Sequence, residues 1–299
     1  MEILLTGATG QLGREISRHA RQPSRLLVGP SHGRLDISSP ESVARAFRDN
    51  APNLVINTAA YTRVDSAESD SVCTYRVNRD GPGLLAAQCA KADIPLIHIS
   101  TDYVFDGMKE SPYTELEPVS PIGVYGNSKA AGEKVVRKSP KHIIIRTSWV
   151  YGFYGNNFLK TMLRLGRQKS NIGVVADQFG CPTAAGDLAQ VILAVAHQIV
   201  DATFTQWGCY HFCGAGVTTW YHFAREIFKI ARRFGYDSAP HIEALTTDQY
   251  PTAAGRPPYS VLDCTRLSRI FNISPAPWQN SLDRVVKEIM SDSSQDLVG

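Results

Sequence analysis

The sequence predicts an α/β protein in which helices cover both faces of a doubly wound parallel sheet, with a smaller lobe in the C-terminal half. Three observations lead to this prediction. Apolar strands and amphipathic helices alternate through the first half of the 299-residue chain. These strands are built on consecutive apolar residues rather than on alternating apolar and polar ones, which is typical of a parallel sheet buried on both faces. A turn with three glycines joins the first strand to the first helix.

Five strands are predicted in the first half, over residues 3–6, 26–28, 54–57, 96–100 and 143–146. Four helices are predicted between them, over residues 11–21, from Pro40 onward, over 78–92 and over 127–137. The helix at Pro40 has a clear start, because Ser39 can cap it and proline suits its first position. Right-handed crossovers bring the carboxyl ends of such strands to one edge, where doubly wound folds bind ligands.

The second half is less regular, with helices predicted over residues 158–166, 187–200 and 220–234. Residues 251–258 are rich in Pro and Gly and are predicted to form a loop, and the polar residues 291–299 are expected to fray. We expect a dinucleotide-binding domain at residues 1–149, joined by returning segments from about 174–214. Residues 150–299 would form mainly a substrate-binding lobe.

Composition and charge exclude several classes of protein. A net charge of +3 is too small to indicate a nucleic-acid or membrane partner. No apolar run approaches the length of about 18 residues that predicts a membrane span. The cysteines lie at positions 73, 89, 181, 209, 213 and 264 and form no C-x-x-C pair. We interpret them as scattered reduced thiols of a cytoplasmic protein without a metal site.

The glycine-rich turn is the first candidate site. Gly7, Gly10 and Gly13 stand three residues apart, from the end of the first strand into the first turn of the first helix. Glycine lets the backbone turn tightly there and approach a pyrophosphate at the helix N-terminus. Glycines also serve as simple turn formers, but this position in a strand–turn–helix unit favours a Rossmann-type dinucleotide site.

The chain after the second strand bears on the choice of cofactor. This segment carries no carboxylate and consists of Gly29, Pro30, Ser31, His32 and, close behind, Arg34. A carboxylate there would bind the ribose 2′-hydroxyl and reject a 2′-phosphate, so we expect NADPH to be accepted at least as well as NADH. Asp36 lies too late for the ribose and either meets the adenine or is solvated. The small residues at 57–62 either leave room for the cofactor or serve helix packing.

Tyr125 and Lys129 are the candidate catalytic pair, because a spacing of four residues puts both on one helix face. The pattern Y-x-x-x-K alone is common on solvated helix faces. A nearby ammonium favours phenolate, so we expect a lowered pKa for Tyr125, which could then exchange a proton with a substrate oxygen. Thr101 follows the fourth strand, where ligands bind, and can donate to the same oxygen. The three residues together predict reduction of a carbonyl beside a nicotinamide.

Longer motifs indicate a family. The chain resembles the extended short-chain dehydrogenase/reductase superfamily, and within it the dTDP-4-dehydrorhamnose reductases, over nearly its whole length. The motifs that carry this resemblance are GATGQLG at 7–13, NTAAYTRVDSAE at 57–68, STDYVFDG at 100–107, PIGVYGNSKAAGE at 121–133, RTSWVYG at 146–152 and YPTAAGRPPYSVLD at 250–263. STDYVFDG and RTSWVYG are more specific to these reductases than the glycine turn, which is general in the superfamily.

The resemblance implies NAD(P)H-dependent reduction of the 4-keto group of dTDP-4-dehydro-L-rhamnose, with Thr101, Tyr125 and Lys129 as the catalytic triad and Tyr125 as proton donor. The residues implied to bind the cofactor are Gly7, Gly10, Gln11, Leu12, Gly13, Asp36, Ile37, Ala60, Tyr61, Thr62, Tyr125 and Lys129. Those implied to contact the sugar nucleotide are Thr101, Asp102, Tyr103, Trp149 and Arg256. From residue type alone, Trp149 would be a core aromatic and Arg256 a surface charge.

Two positions depart from the family pattern, because Gly123 and Tyr259 stand where the family often has asparagine. Three alternatives stay open, and these two departures bear on the first of them. The chain could reduce another dTDP-4-keto-deoxysugar. It could be a non-catalytic NADP-binding regulatory subunit, like the one that accompanies methionine adenosyltransferase. An epimerase or dehydratase is also conceivable on this fold.

Some members of the family dimerise around a magnesium ion bound by three glutamates of each subunit. Glu15 and Glu288 match two of these, but Gly186 stands at the third position, with Asp187 beside it. We therefore expect no magnesium site in this chain. The expected partner is a small nucleotide sugar, and the protein is expected to be a monomer or a homodimer.

Overall fold

The structure, a computed structural model, describes residues 2–20, 26–29 and 35–292. The elements of the first half are β1 (Glu2–Thr6), α1 (Gln11–His19), β2 (Leu26–Val28), α2 (Pro40–Asn50), β3 (Leu54–Asn57), α3 (Val64–Ser69), α4 (Ser71–Tyr75), α5 (Gly81–Ala92), β4 (Leu96–Thr101), α6 (Val124–Val136) and β5 (His142–Thr147). A π-helical turn, Arg76–Asp80, leads into α5, and a 3-10 turn, Asp102–Val104, follows β4. Strands and helices thus alternate as predicted.

The second half contains more short strands. Its elements are β6 (Val150–Tyr151), α7 (Phe158–Gln168), β7 (Asn171–Val175), β8 (Phe179–Gly180), β9 (Thr183–Ala184), α8 (Ala185–Ile199), β10 (Gly208–His211), β11 (Thr218–Thr219), α9 (Trp220–Arg233), β12 (His241–Leu245), α10 (Thr265–Phe271) and α11 (Trp278–Ser291). The three helices predicted for this half correspond to α7, α8 and α9. Within the described part of the chain, no helix is both long and apolar enough to cross a membrane.

Six strands form the central sheet, in the order β10-β5-β4-β3-β1-β2. Each neighbouring pair runs parallel, so the strands end at one common edge. At that edge Thr6 is in register with Asn57, and Thr101 is in register with Thr147. The parallel sheet confirms the predicted fold class, and its sixth strand, β10, returns from the second half of the chain.

Helices cover both faces of this sheet. Ile3 and Leu5 of β1 pack with α1 and α8 on one face, while Leu4 packs with α2, α5 and α6 on the other. Because consecutive residues of β1 enter opposite cores, Ile3, Leu4 and Leu5 are all apolar, as a doubly covered sheet requires. A second core lies between α7, α9, α11, β7 and β12, and it holds Phe223 and Trp278.

Several boundaries differ from the predictions. Helix α6 begins at Val124, three residues before the predicted start at 127. Helices α3, α4 and α10 are only five to seven residues long, too short for a helical period to be visible. Helix α11 has such a period but was not predicted. The helix includes Ser291, so the expectation that this residue would be frayed is wrong. Residues 293–299 lie outside the described residues, and the predicted loop at 251–258 contains neither helix nor strand.

Candidate active site

Thr101 is the last residue of β4 and lies at the carboxyl edge of the sheet. Its Oγ1 accepts a hydrogen bond from the backbone N–H of Tyr103 at 3.2 Å and donates to Asp102 Oδ1 at 3.1 Å. The hydroxyl therefore starts the tight 3-10 turn that follows the strand. This turn holds Thr101, Asp102 and Tyr103 together beside the N-terminus of α6.

Tyr125 lies in the first turn of α6, whose N-terminus is held by another element. The backbone N–H of Val124 donates to Glu68 Oε1 on α3 at 2.8 Å. A Cβ atom at Gly123 would come within 2.9 Å of the same carboxylate oxygen. Gly123, one of the two departures from the family pattern, thus leaves room for Glu68 to bind the helix where a side-chain cap is missing.

The pKa of Tyr125 is raised to about 12, chiefly because its surroundings exclude water, while a hydrogen bond with Thr101 acts in the opposite direction. The expectation of a lowered pKa is therefore wrong. It assumed that the Lys129 ammonium would act on the phenol, but that ammonium donates to the backbone oxygen of Ile99 at 2.7 Å. A phenol with this pKa remains protonated at neutral pH, which is the state that a proton donor needs.

Lys129 lies one helical turn after Tyr125 and is only 2% exposed. Burial lowers the pKa of its ammonium to about 8, and the negative charge of Glu133 opposes this shift. The lysine thus remains predominantly charged at neutral pH even though its side chain is buried. Thr101, Tyr125 and Lys129 are brought together, as their spacing along the chain predicts.

The glycine turn fits a dinucleotide. Gly7 has a φ of +70°, and a Cβ atom there would lie 2.6 Å from the backbone nitrogen of Ala59. A Cβ atom at Gly13 would lie 2.2 Å from the carbonyl oxygen of Gly7. Helix α1 starts with neither a side-chain cap nor an acidic residue in its first turn. Its N-terminal N–H groups and its dipole can therefore accept a pyrophosphate.

The other predicted cofactor residues are found around the same edge. The backbone N–H of Tyr61 donates to Asn78 Oδ1 at 2.8 Å, and Asn78 donates back to the Tyr61 carbonyl at 3.0 Å, which fixes the segment that includes Ala60 and Thr62. Asp36 Oδ1 accepts hydrogen bonds from the N–H and hydroxyl of Ser38. The Ile37 side chain is packed in the core.

The residues at the N-terminus of α1, Gln11 and Leu12, are partly exposed, as a cofactor contact requires. Pro30, Ser31, His32 and Arg34, on which the preference for NADPH rests, lie outside the described residues. Gly29, the residue directly after β2, is exposed. The preference for NADPH thus stays a prediction from sequence.

A cavity of about 280 Å³ opens beside this group. Tyr103 and Arg256 line it, as do three aromatic residues that sequence analysis did not single out, namely Phe158, Trp220 and Tyr250. Tyr250 begins the motif at 250–263, but no local pattern marks any of the three as lining a cavity, because they lie in separate segments of the chain. The Tyr103 and Tyr125 rings meet edge to face at 5.8 Å, which links the cavity to the catalytic group.

Arg256 makes a two-pronged ion pair with Asp65 of α3, at 2.9 and 2.7 Å, and also donates to the Ala254 carbonyl at 2.7 Å. The pair connects the loop after β12 to α3, a helix from the first half of the chain. Trp149 has a φ of +47°, unusual for a bulky residue, and its ring stacks on Trp220 at 3.6 Å. Trp149 therefore supports the cavity wall that Trp220 forms.

Asp102 is 2% exposed, and burial raises its pKa to about 7 against the effect of hydrogen bonds with Ser260 and Thr101. Ser260 follows Tyr259, the second departure from the family pattern. Tyr259 forms a bridge with Phe179 and packs partly buried against the small core around Phe105. This side chain thus serves packing behind the site.

The carboxylates considered for magnesium carry positive partners. Arg18 is paired with Glu288, and Arg284 is paired with Asp187. Burial raises the pKa of Glu15, which faces Arg18. Among the residues that the structure describes, no group of three or more His, Cys, Asp or Glu side chains has the geometry of a metal site. That no magnesium binds stays a prediction.

The cysteines are less scattered than expected. All six are free, but Cys213 Sγ lies 3.6 Å from Cys264 Sγ. Cys181 belongs to the same small core. The six are free thiols, as interpreted from sequence, but these three are not scattered in the fold, because segments far apart in sequence pack against one another there.

The chain is similar to known proteins over nearly its whole length. A family model described as the RmlD substrate binding domain matches residues 1–291. A dTDP-4-dehydrorhamnose reductase of Aggregatibacter actinomycetemcomitans is 42% identical over 287 residues, covering 95% of this chain and 97% of the relative.

Two solved structures agree with this similarity. The crystal structure of a dTDP-4-dehydrorhamnose reductase from Clostridium acetobutylicum is 39% identical, with a TM-score of 0.90 over 97% of this chain and 99% of the other. The structure of the Bacillus anthracis dTDP-4-dehydrorhamnose reductase in complex with NADP is 35% identical, with a TM-score of 0.88 over 96% and 99% of the two chains.

Proposed function

This chain belongs to the dTDP-4-dehydrorhamnose reductase family, and from that premise we propose that it reduces the 4-keto group of dTDP-4-dehydro-L-rhamnose to give dTDP-L-rhamnose. The observation that carries the proposal is the convergence of Thr101, Tyr125 and Lys129 at the carboxyl edge of the sheet. A ligand bound at this edge meets all three groups.

The cofactor in this proposal is NADPH, or NADH. The backbone of Gly7, Gly10 and Gly13 and the N-terminus of α1 would hold its pyrophosphate. Other residues proposed to line it are Gln11, Leu12, Asp36, Ile37, Ala60, Tyr61, Thr62, Tyr125 and Lys129. The NADP complex of the Bacillus anthracis relative supports NADPH. When bound, the cofactor supplies the hydride that the keto carbon receives.

Tyr125 would act as the proton donor. Reduction makes the keto oxygen strongly basic, and a phenol with a pKa of about 12 is both protonated beforehand and able to give up its proton to an alkoxide. Thr101 would donate a hydrogen bond to the same oxygen and polarise the carbonyl. Lys129 would hold the ribose next to the nicotinamide.

Recognition of the nucleotide sugar would fall to the neighbouring cavity. Its aromatic side chains offer flat apolar surfaces for a base, and Arg256 offers a guanidinium for the diphosphate. Asp102 and Tyr103 would contact the sugar from the turn after β4, and Trp149 would act by supporting Trp220. We retain the proposed division into a dinucleotide-binding domain at 1–149, joined by segments from about 174–214, and a substrate-binding lobe at 150–299.

The test is NADPH oxidation with dTDP-4-dehydro-L-rhamnose generated in place by the upstream enzymes, with the product identified as dTDP-L-rhamnose. Michaelis constants for NADPH and NADH measured in the same assay check the cofactor, and a clear preference for NADH would contradict that part. A panel of other dTDP-4-keto sugars tests the alternative that Gly123 and Tyr259 leave open. Absence of NADPH oxidation with every keto sugar would favour a regulatory subunit.

A further inference from the structure

One buried carboxylate ties helix α6 to the sheet beside the candidate catalytic group. Glu133 lies four residues after Lys129 on α6 and is 2% exposed. Its Oε1 accepts from Ser100 Oγ at 2.6 Å and from Arg146 Nε at 2.8 Å. Its Oε2 accepts from Arg146 Nη2 at 2.7 Å. The carboxylate therefore has three close donors from two strands.

These contacts join the elements that carry the three catalytic groups. Ser100 immediately precedes Thr101 on β4, so the Glu133–Ser100 bond holds α6 against the residue next to the threonine. Lys129 donates to Ile99 on the same strand, one turn earlier along the helix. These two hydrogen bonds, Ser100–Glu133 and Lys129–Ile99, thus fix the position of α6 along β4. Because Tyr125 lies on α6, they also fix its position relative to Thr101.

Arg146 is itself fixed on the adjacent strand, β5. It is 1% exposed, and its guanidinium stands 5.0 Å from the Phe105 ring centroid. Its Nη1 lies 3.4 Å from His211 Nε2 on β10. A buried ion pair generally adds little net stability over well-packed apolar side chains, because both charges lose their hydration. Its position next to the candidate site therefore calls for a role other than stability.

The charges around Lys129 come from several elements. On its own helix are Tyr125, Glu133 and, partly exposed, Arg137, which lies 3.4 Å from Glu133. From β4 comes His98, whose pKa Lys129 helps to lower, and from β5 comes Arg146, which is paired with Glu133. His98 is neutral, because burial and Lys129 hold its pKa well below 6.5. Glu133 is the group whose charge opposes the effect of burial on Lys129.

We propose that Glu133 is a positioning residue for the proposed reduction, one that keeps the Lys129 side chain ionised and holds α6 in register with Thr101. This inference rests on the proposed function, because the state of Lys129 matters only if the site reduces a ketone. Glu133 has no direct contact with cofactor or substrate in this scheme and acts through Lys129 and Ser100.

The test compares Glu133→Gln with Ser100→Ala in the full-length protein. Glu133→Gln keeps the size of the side chain but removes its charge, so the Lys129 pKa should fall from about 8 by about one unit or more. The alkaline limb of kcat/KM should move to lower pH by the same amount, and kcat at its best pH should fall roughly 10- to 100-fold. Ser100→Ala keeps the carboxylate and should lower kcat without moving the limb.

A readout independent of turnover is the titration of Lys129 by NMR in protein with 13C-labelled lysines, assigned with Lys129→Arg. If Glu133→Gln does not fold because Arg146 is left buried without its partner, Glu133→Gln/Arg146→Gln is compared with Arg146→Gln, so that the two proteins differ only in the charge at Glu133. Glu133→Asp should restore the titration while turnover stays reduced.

An unchanged Lys129 titration and an unchanged alkaline limb in the folded variants would overturn the inference. Should the wild-type protein reduce no keto sugar at all, the proposed function fails. The NMR titration then still decides whether Glu133 sets the charge of Lys129.

Discussion

The two parts of the candidate site are built in different ways. Thr101, Tyr125 and Lys129 come from one strand end and two turns of one helix, with backbone and side-chain hydrogen bonds around them. The neighbouring cavity is instead lined by aromatic side chains from four separate segments. The contrast teaches that proton transfer depends on rigid elements and fixed distances, whereas recognition is distributed over surfaces that tolerate change.

Replacing the proton donor should give the largest effect. Tyr125→Phe removes the phenolic oxygen and leaves the ring, so turnover should fall roughly 10²- to 10⁴-fold while NADPH affinity stays nearly the same. Steady-state kinetics and fluorescence titration with NADPH measure the two quantities. An unchanged turnover would show that Tyr125 is not the proton donor, and the proposed difference between the two regions would then be wrong.

Asp102 lies where the two regions meet, and its effect should appear in stability. Its pKa is raised from 3.8 to about 7 in the folded state, so its contribution is complete below pH 4 and is lost as pH rises towards 7. That loss amounts to about 4 kcal/mol at most. Asp102→Asn should make the free energy of unfolding fall less between these values, as chemical denaturation at both pH values measures. Equal changes in both proteins would show that Asp102 is not buried as described.

Weakening the recognition region should change binding rather than chemistry. Arg256→Lys cannot keep the two-pronged pair with Asp65, so KM for the nucleotide sugar should rise about tenfold with kcat altered less. Asp65→Asn should act in the same direction, because it releases the guanidinium from the other side. A loss confined to kcat would place Arg256 with the catalytic group instead.

Removing divalent metal should have the smallest effect. Arg18 and Arg284 already neutralise Glu288 and Asp187, so we expect the sedimentation coefficient to be the same with and without a chelator. Turnover should also be unaffected in either condition. A dimer that dissociates on chelation would show that the carboxylates bind magnesium after all.

The same contrast explains what the sequence could predict. Tyr125 and Lys129 are four residues apart and Thr101 ends an apolar strand, so local patterns are sufficient to find them. Asp65 and Arg256 are 191 positions apart, so no local pattern shows that they pair, although both lie in family motifs. Nor does any local pattern show that Phe158, Trp220 and Tyr250 line one cavity, because they meet only after folding. The sign of the Tyr125 pKa shift was missed for a related reason, because it depends on burial and on the Lys129–Ile99 hydrogen bond.

The central claim is that the side chains of Thr101 and Tyr125 converge on one carbonyl oxygen, with Lys129 behind them on the same helix as Tyr125. The most direct measurement is a crystal structure of Tyr125→Phe with NADPH and dTDP-4-dehydro-L-rhamnose bound, because this variant should hold the ketone without reducing it. We predict that the keto oxygen lies about 3 Å from Thr101 Oγ1. It should lie at the same distance from the place that the phenolic oxygen of Tyr125 occupies in the wild-type protein. A keto oxygen bound away from both, in an otherwise unchanged site, would contradict the account.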